Sequence, residues 1–409
     1  MWTVREQAEA RDAILKDRLH NLMPVLMKEC GVELWAVISR EYNEDPLFHT
    51  LVPTLVKNAS RTTCLVFSLD AEGRYEALNV SRPDERLDGF YRQAMERSDD
   101  VWQALARVIS QKKPSRVHVD VSETCAMADG LSRYCYERLR LALNDSVSLV
   151  SAEEIATRWI ETRTRRELEI YPEIYRLMMD IVDEVFSDAC IVPGKTTTTD
   201  LEWEIAQRVN DLGLSCWFSP DVDLQRAGGN AFRTFGAVIQ PGDIVHCDVG
   251  LACMGLLTDT QRNVYIGRPD ETEIPEGIRA AYATGCRFQD IVRGHFRAGR
   301  TGNEILRKSL EQARKEGIRA MCYCHPIGPF GHGAGPCVGL FDNQRFVPGH
   351  GQNVMHDDTC YALELNITQS IPEWGGQDAC MMLEETIAFT GGETYFLDDK
   401  RAILRFLRL

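Results

Sequence analysis

The sequence predicts a two-domain protein, an α/β N-terminal domain over residues 1–156 followed by an α+β domain over residues 157–409. Three observations predict this. Helix-like and strand-like runs alternate up to about Ser151 to Ala156, the pattern of an α/β layer. From about Thr162 the order changes to two helices and then a strand pair, and that block occurs twice. Each half would bring two carboxylates from its strand pair to a central cleft, so a pseudo-symmetric domain would gather four there.

The elements follow in order. Residues 5–30 set apolar and charged positions at helical spacing. ELWAVIS and TTCLVFSLD are apolar and β-branched, as strands are; DDVWQALARVISQ reads as a helix, RVHVDVS as a strand and GLSRYCYERLRLAL as a helix. RRELEIYPEIYRLMMDIVDEVFSDA is a long helix in which Pro172 either makes a kink or stands near the true start. PGKTTTTDLEWEIAQRVNDLG is a turn and a helix with Thr199 or Asp200 as N-cap. EGIRAAYATGCRFQDIVRGHF and TGNEILRKSLEQARKEG supply the two helices of the second block.

The strand pairs carry the chemistry. PGDIVHCDVG and LLTDTQRNVYIG flank LACMG and read as a hairpin, with Asp248 and Asp259 eleven positions apart. A turn centred between Cys253 and Met254 sets these two aspartates directly opposite each other, with Cβ atoms roughly 4.5 to 5.5 Å apart. Like charges so placed destabilise a sheet unless something neutralises them, and a cation does so economically. TCYALELNIT and ACMMLEETIAF form the second pair, joined by the Pro- and Gly-containing QSIPEWGGQD. Glu364 shares a strand face with Ala362 and Asn366; Glu384 and Glu385 point to opposite faces, and periodicity does not say which faces the other carboxylates. Between the pairs, CYCHPIGPFGHGAGPCVG is dense in Gly and Pro and holds His325 and His332, a backbone shaped for close approach to a ligand. Carboxylates and an imidazole are a hard, oxygen-rich set suited to divalent cations rather than to thiolate-type zinc or iron–sulfur sites.

With these residues the chain resembles the pita-bread metallopeptidase family, which includes methionine aminopeptidase, Xaa-Pro aminopeptidase and prolidase. That family orders its ligands Asp, Asp, His, Glu, Glu, with the two Asp eleven apart in a hairpin. PGDIVHCDVG and TDTQR resemble its first motifs, with Arg262 in its usual place. HPIGPFGH resembles the H-x-x-G-x-x-x-H segment, which makes His325 a ligand and His332 a second, non-ligand histidine. Aligning GHGAG instead would make His332 the ligand and leave Gly339 where the second histidine belongs. ALELN and MLEET resemble the two glutamate strands, which selects Glu364 and Glu384. The resemblance thus implies metal ligands Asp248, Asp259, His325, Glu364 and Glu384. It also implies proton transfer by Glu364 and stabilisation of the tetrahedral intermediate by His332. The fold implied is a pita-bread catalytic domain preceded by a creatinase-type α/β domain. The chain departs from the family at Phe235, where a substrate-binding His is expected, and at Leu365, Met382 and Gly333.

Composition agrees. Forty-four per cent hydrophobic and 26% charged residues are ordinary for a soluble globular chain of 409 residues with a core in each of two domains. A net charge of −15 argues against nucleic acid, which requires a basic footprint. The fourteen cysteines show no framework spacing and read as reduced, buried residues, with Cys247, Cys324 and Cys337 beside the site and open to oxidation. No run approaches the 18 apolar residues of a membrane span, and MWTVREQAEARD has no apolar signal region, so a cytoplasmic location is expected.

The expected activity is hydrolysis of a peptide bond adjacent to proline, as an Xaa-Pro aminopeptidase or dipeptidase. Two cations per chain, Mn²⁺ first and Co²⁺, Zn²⁺ or Fe²⁺ as alternatives, would share a water and convert it to a bridging hydroxide nucleophile. The alternatives are a creatinase-type C–N hydrolase and a non-catalytic peptide-binding relative. A small Xaa-Pro peptide is the expected partner, and relatives of this layout suggest a homodimer. Arg226, Arg233 and Arg345 are candidates to pair with a substrate carboxylate. Glu385 is expected to be dispensable for metal and activity.

Overall fold

The computed structural model describes residues 2–97, 99–143, 147–398, 401 and 403–408. The chain forms two compact units, Met1–Ile160 and Glu161–Leu409. Among the described residues no helix is long and apolar enough to cross a membrane.

The first unit is built on one mixed sheet. Its strands are β1 (Leu34–Arg40), β2 (Thr62–Leu69), β3 (Tyr75–Asn79), β4 (Arg92–Gln93), β5 (Arg116–Val119) and β6 (Ser148–Ser151), in the order β4-β3-β2-β1-β5-β6. The meander β1-β2-β3 is antiparallel, whereas β5 joins β1 and β6 joins β5 in parallel. Helices Val101–Lys112 and Arg133–Leu143 give Trp102, Leu105, Val108, Ile109 and Leu139 to the core that β1, β2 and β5 supply with Leu34, Ala36, Val66 and Val117. The strands at 75–79, 92–93 and 148–151 are short and partly polar, and sequence periodicity did not mark them.

The second unit repeats one plan. Helices Arg165–Val185 and Thr198–Asp211, of 21 and 14 residues, precede the first strands; helices Glu276–His295 and Gly302–Lys315, of 20 and 14, precede the second. Thr164, Thr197 and Thr301 each close a capping box with the acidic residue three positions on. The cap of the 198–211 helix is therefore Thr197, with Asp200 as its reciprocal partner; neither Thr199 nor Asp200 is the N-cap. Pro172 lies inside its helix, beyond a start fixed by Thr164 and Glu167.

The strands of the first half are β7 (Ser215–Cys216), β8 (Asp221–Gln225), β9 (Ile244–Val249), β10 (Leu251–Cys253), β11 (Leu256–Leu257) and β12 (Thr260–Ile266). Those of the second are β13 (Arg319–Cys322), β14 (His325–Pro326), β15 (Thr359–Ala362), β16 (Leu365–Ile371), β17 (Gln377–Leu383), β18 (Thr386–Thr390) and β19 (Glu393–Phe396); β20 (Arg405–Leu407) returns to pair with β12. Each half divides its hairpin between two small sheets. The first hairpin runs β9-β12 in one sheet and β10-β11 in another, and the second runs β16-β17 in one and β15-β18 in another. Behind them the 276–295 helix packs Phe288, Ile291 and Val292 with Leu365, Ile367, Met381 and Leu383.

Thr197→Ala removes the cap oxygen that accepts from the Asp200 amide, and unfolding by urea should show a loss of about 1 kcal/mol.

Candidate metal centre

Each acidic residue stands at or beside a point where a strand passes between sheets. Asp248 is in β9 just before Gly250, and Asp259 lies between β11 and β12. Glu364 separates β15 from β16, and Glu384 separates β17 from β18. The second hairpin keeps one register across its break, with Ala362 opposite Thr386 and Leu365 opposite Leu383, which sets Glu364 opposite Glu384. In the first hairpin Cys253 pairs with Leu256, so the turn is centred between Met254 and Gly255, one residue later than expected. Both turn residues have positive φ, 53° and 81°, as a type I′ turn requires, and Gly255 fits the second position. Asp248 consequently faces Gln261, and Asp259 lies on the diagonal. Of the four candidate carboxylates the directly opposed pair is therefore Glu364 and Glu384, while Asp248 stands opposite Asp221 of β8 rather than Asp259.

The two halves meet here. Gln261 N donates to Glu384 O, and Asp259 N and Thr386 Oγ1 form a reciprocal pair with Thr386 Oγ1 donating to Asp259 O. Ligating atoms of Asp259, His325 and Glu384 lie within 4.8 Å of one another, and those of Asp248, Glu364 and Glu384 do the same. Glu384 belongs to both sets. His325 Nε2 is 3.6 Å from Asp259 Oδ2 and 3.9 Å from Glu384 Oε1. Its Nδ1 donates to the Pro326 carbonyl, which leaves the Nε2 lone pair facing the carboxylates. The first set is buried, whereas Asp248 and Glu364 are half-buried, so the site opens on their side.

Burial pushes the Asp248 carboxyl up to about 6 and Glu364 to about 8, the latter reinforced by Asp248. Burial followed by neighbouring carboxylates drives Asp259 and Glu384 well upward. Burial and then His332 lower His325 to about 4, so it is a neutral imidazole. Asp248 Oδ1, Asp259 Oδ1 and both Glu384 oxygens are buried without a hydrogen-bond partner among the described residues. Such orphaned oxygens are costly unless a ligand takes them, and their number and hardness fit a pair of divalent cations.

Glu385 turns the other way. Arg262 is buried, and it donates to Glu385 Oε2 at 3.0 Å, to Tyr175 at 2.8 Å and to the Glu384 carbonyl at 3.1 Å. Tyr175 donates to Glu385 at 2.5 Å. This cluster holds the backbone that carries Glu384, and Glu385 neutralises a buried guanidinium in it.

His332 is exposed, edge-on to His325 at 4.6 Å between ring centroids and 5.4 Å from Trp217. Trp217 donates to the Thr258 carbonyl, and a Cβ at Gly250 or Gly331 would strike its ring, which explains glycine at both. Of the three arginines, Arg226 is committed to Asp243 through two 2.7 Å bonds and Arg345 is an exposed loop residue. Arg233 binds Asp223 and partly offsets the upward push of burial on the Asp248 and Glu364 carboxyls, and its guanidinium lies over the exposed Phe235 ring. Cys247, Cys324 and Cys337 form no disulfide. Cys247 and Cys324 are fully buried with thiols pushed upward, and burial pushes Cys337 to about 11, which disfavours the thiolate form at all three.

Sequence reasoning passed over Gln261, His246 and Trp217. Gln261 donates to Glu364 and Asp248. Its position two residues after Asp259 on the same strand face was the available signal.

A family model described as metallopeptidase family M24 matches residues 173–391. No curated protein matches the chain. Among solved structures, X-Pro aminopeptidase from Thermotoga maritima is 14% identical with a TM-score of 0.67, over 94% of this chain and 100% of that one. Xaa-Pro dipeptidase from Bacillus anthracis is 15% identical with a TM-score of 0.63, over 99% and 100%. The N-terminal domain of FACT complex subunit SPT16 from chickpea is 13% identical with a TM-score of 0.58, over 97% and 96%. At these identities the likeness is one of fold: the pita-bread fold with its N-terminal domain.

Two substitutions separate the neighbouring glutamates. Glu385→Ala should cost about 3–5 kcal/mol in urea unfolding, because it strands the Arg262 charge. Glu384→Gln should make the metal-free protein about 1–3 kcal/mol more stable than metal-free wild type, by removing an unsatisfied buried carboxylate.

Proposed function

This chain belongs to metallopeptidase family M24, and on that premise we propose that it uses two divalent cations to hydrolyse a peptide bond adjacent to proline, as an Xaa-Pro aminopeptidase or dipeptidase. The observation that carries the reading is the pair of donor sets joined through Glu384. Asp259, His325 and Glu384 would hold one cation, and Asp248, Glu364 and Glu384 the other, with Mn²⁺ the first choice. When bound, such a pair lowers the pKa of water and polarises a carbonyl.

The chain's own groups do the rest. His325 keeps Nε2 toward the inner donors because Nδ1 is committed to Pro326. Burial of Asp259 and Glu384 keeps solvent from that set. Glu364 accepts from Gln261 on Oε1, which leaves its other oxygen to take a proton from water and return it to the leaving amine. His332, held against Trp217 at the exposed side, donates to the oxyanion that develops on the scissile carbonyl. Phe235 and Arg233 form an adjoining wall with an apolar ring and a cation. Structural relatives titled as an X-Pro aminopeptidase and an Xaa-Pro dipeptidase support the choice of substrate class.

A peptide-binding role without catalysis is the second reading, favoured by the likeness to the FACT subunit domain. The orphaned carboxylate oxygens weigh against it, since a site without cations has no use for them. A creatinase-type C–N hydrolase is the remaining alternative, suggested by Phe235 where a substrate-binding histidine is expected.

Metal content of protein purified without chelator should approach two per chain, with Ala-Pro or Ala-Pro-Ala turned over in added Mn²⁺. Metal without turnover of either peptide would redirect the reading to another C–N bond, and no uptake under any loading would end the catalytic reading. Asp259→Ala should abolish turnover and lower metal content. His332→Ala should lower kcat about 100- to 1,000-fold and leave metal content unchanged.

A further inference from the structure

Three adjacent strands, β8, β9 and β12, place polar side chains on the face that carries Asp248. Asp223 in β8 stands opposite His246 in β9, and Asp248 in β9 stands opposite Gln261 in β12. These residues belong to a hydrogen-bonded chain whose middle members, Asp223, His246 and Gln261, are buried. Arg233 Nε donates to Asp223 Oδ2 at 2.8 Å, and His246 Nδ1 lies 2.9 Å from the same oxygen. His246 Nε2 lies 3.2 Å from Gln261 Oε1. Gln261 Nε2 donates to Glu364 Oε1 at 2.7 Å and to Asp248 Oδ2 at 3.2 Å.

The amide orientation follows from the partners. As cation ligands Asp248 and Glu364 are ionised and can only accept, so in that state the Gln261 NH₂ faces them and its oxygen faces the ring. His246 meets that oxygen with an N–H, while Asp223 fixes the ring from the other side. His246 and Asp223 are 1% and 0% exposed, so neither exchanges this bond for water.

We propose that Gln261 is a positioning residue, oriented by His246 and Asp223, that aims Asp248 and Glu364 at one of the two cations. The proposal rests on the reading of the cluster as a two-cation site. One amide tethers one oxygen of each outer carboxylate and leaves Asp248 Oδ1 unpartnered for ligation. The inner set, Asp259, His325 and Glu384, takes no bond from Gln261's side chain. The network thus acts on the outer half of the site alone.

The test is Mn²⁺ titration of the chelator-treated full chain by calorimetry, with steady-state kinetics on the peptide that wild type cleaves. Gln261→Met keeps side-chain length and removes the hydrogen bonds. It should weaken one binding event about 10- to 100-fold, leave the other unchanged, and lower kcat with little change in KM. His246→Leu should weaken the same event and add nothing in the Gln261→Met background, because it acts through Gln261. Two events unchanged in Gln261→Met, both weakened alike, or effects of the two substitutions that simply add would overturn the proposal. A wild-type protein that takes up no Mn²⁺ would instead overturn the two-cation reading, and this inference with it.

Discussion

Four carboxylates and an imidazole fall into two sets of three that share Glu384, with ligating atoms within 4.8 Å of one another in each set, and this repulsion is the constraint to which the second unit answers. A buried carboxylate must be protonated, paired or bound to a cation. The unit supplies some relief from within: Gln261 donates to two of the four, and Arg262 holds the carbonyl of Glu384 while spending its charge on Glu385. Neither reaches the inner oxygens of Asp259 and Glu384. What remains unsatisfied is the part of the site that a cation completes.

The position of the cluster follows from how the hairpins are divided. A strand that leaves one sheet for another loses a ladder partner at the crossing, and a side chain there can turn into the gap. Asp259, Glu364 and Glu384 occupy such crossings, with Asp248 beside one. The halves are stitched at the same level by Gln261 with Glu384 and Asp259 with Thr386. Ligands and seam therefore depend on each other, so site geometry and stability of the second unit should be difficult to vary separately.

The walls are less constrained than the donors. Trp217 is held tightly by Gly250 and Gly331, which fixes the surface behind His332. Phe235 and Arg233 stand on an exposed loop and set a different character on another side. A fold shared by peptidases and a FACT subunit domain cannot by itself assign chemistry.

Much of this was legible in order and spacing. The repeated plan of two helices and a strand pair shows as a change of hydrophobic period, which depends only on neighbouring residues. The four acidic candidate ligands stand out because buried strands rarely carry acids. Periodicity alone left Glu384 and Glu385 undecided, and resemblance chose between them; in the structure Glu384 lies with Asp259 and His325, and Glu385 with Arg262. The turn was misplaced by one residue because register depends on the positive φ of Met254 and Gly255, which the flanking apolar residues do not report. Gln261, His246 and Trp217 were passed over because their roles arise from contacts between residues distant in the chain, such as the 2.7 Å bond from Gln261 to Glu364. Local patterning is a property of adjacent residues and can be read from them. The pairing of Glu364 with Glu384, the relay from Asp223 to Gln261 and the burial of Arg262 are properties of packing, and only the tertiary structure decided them.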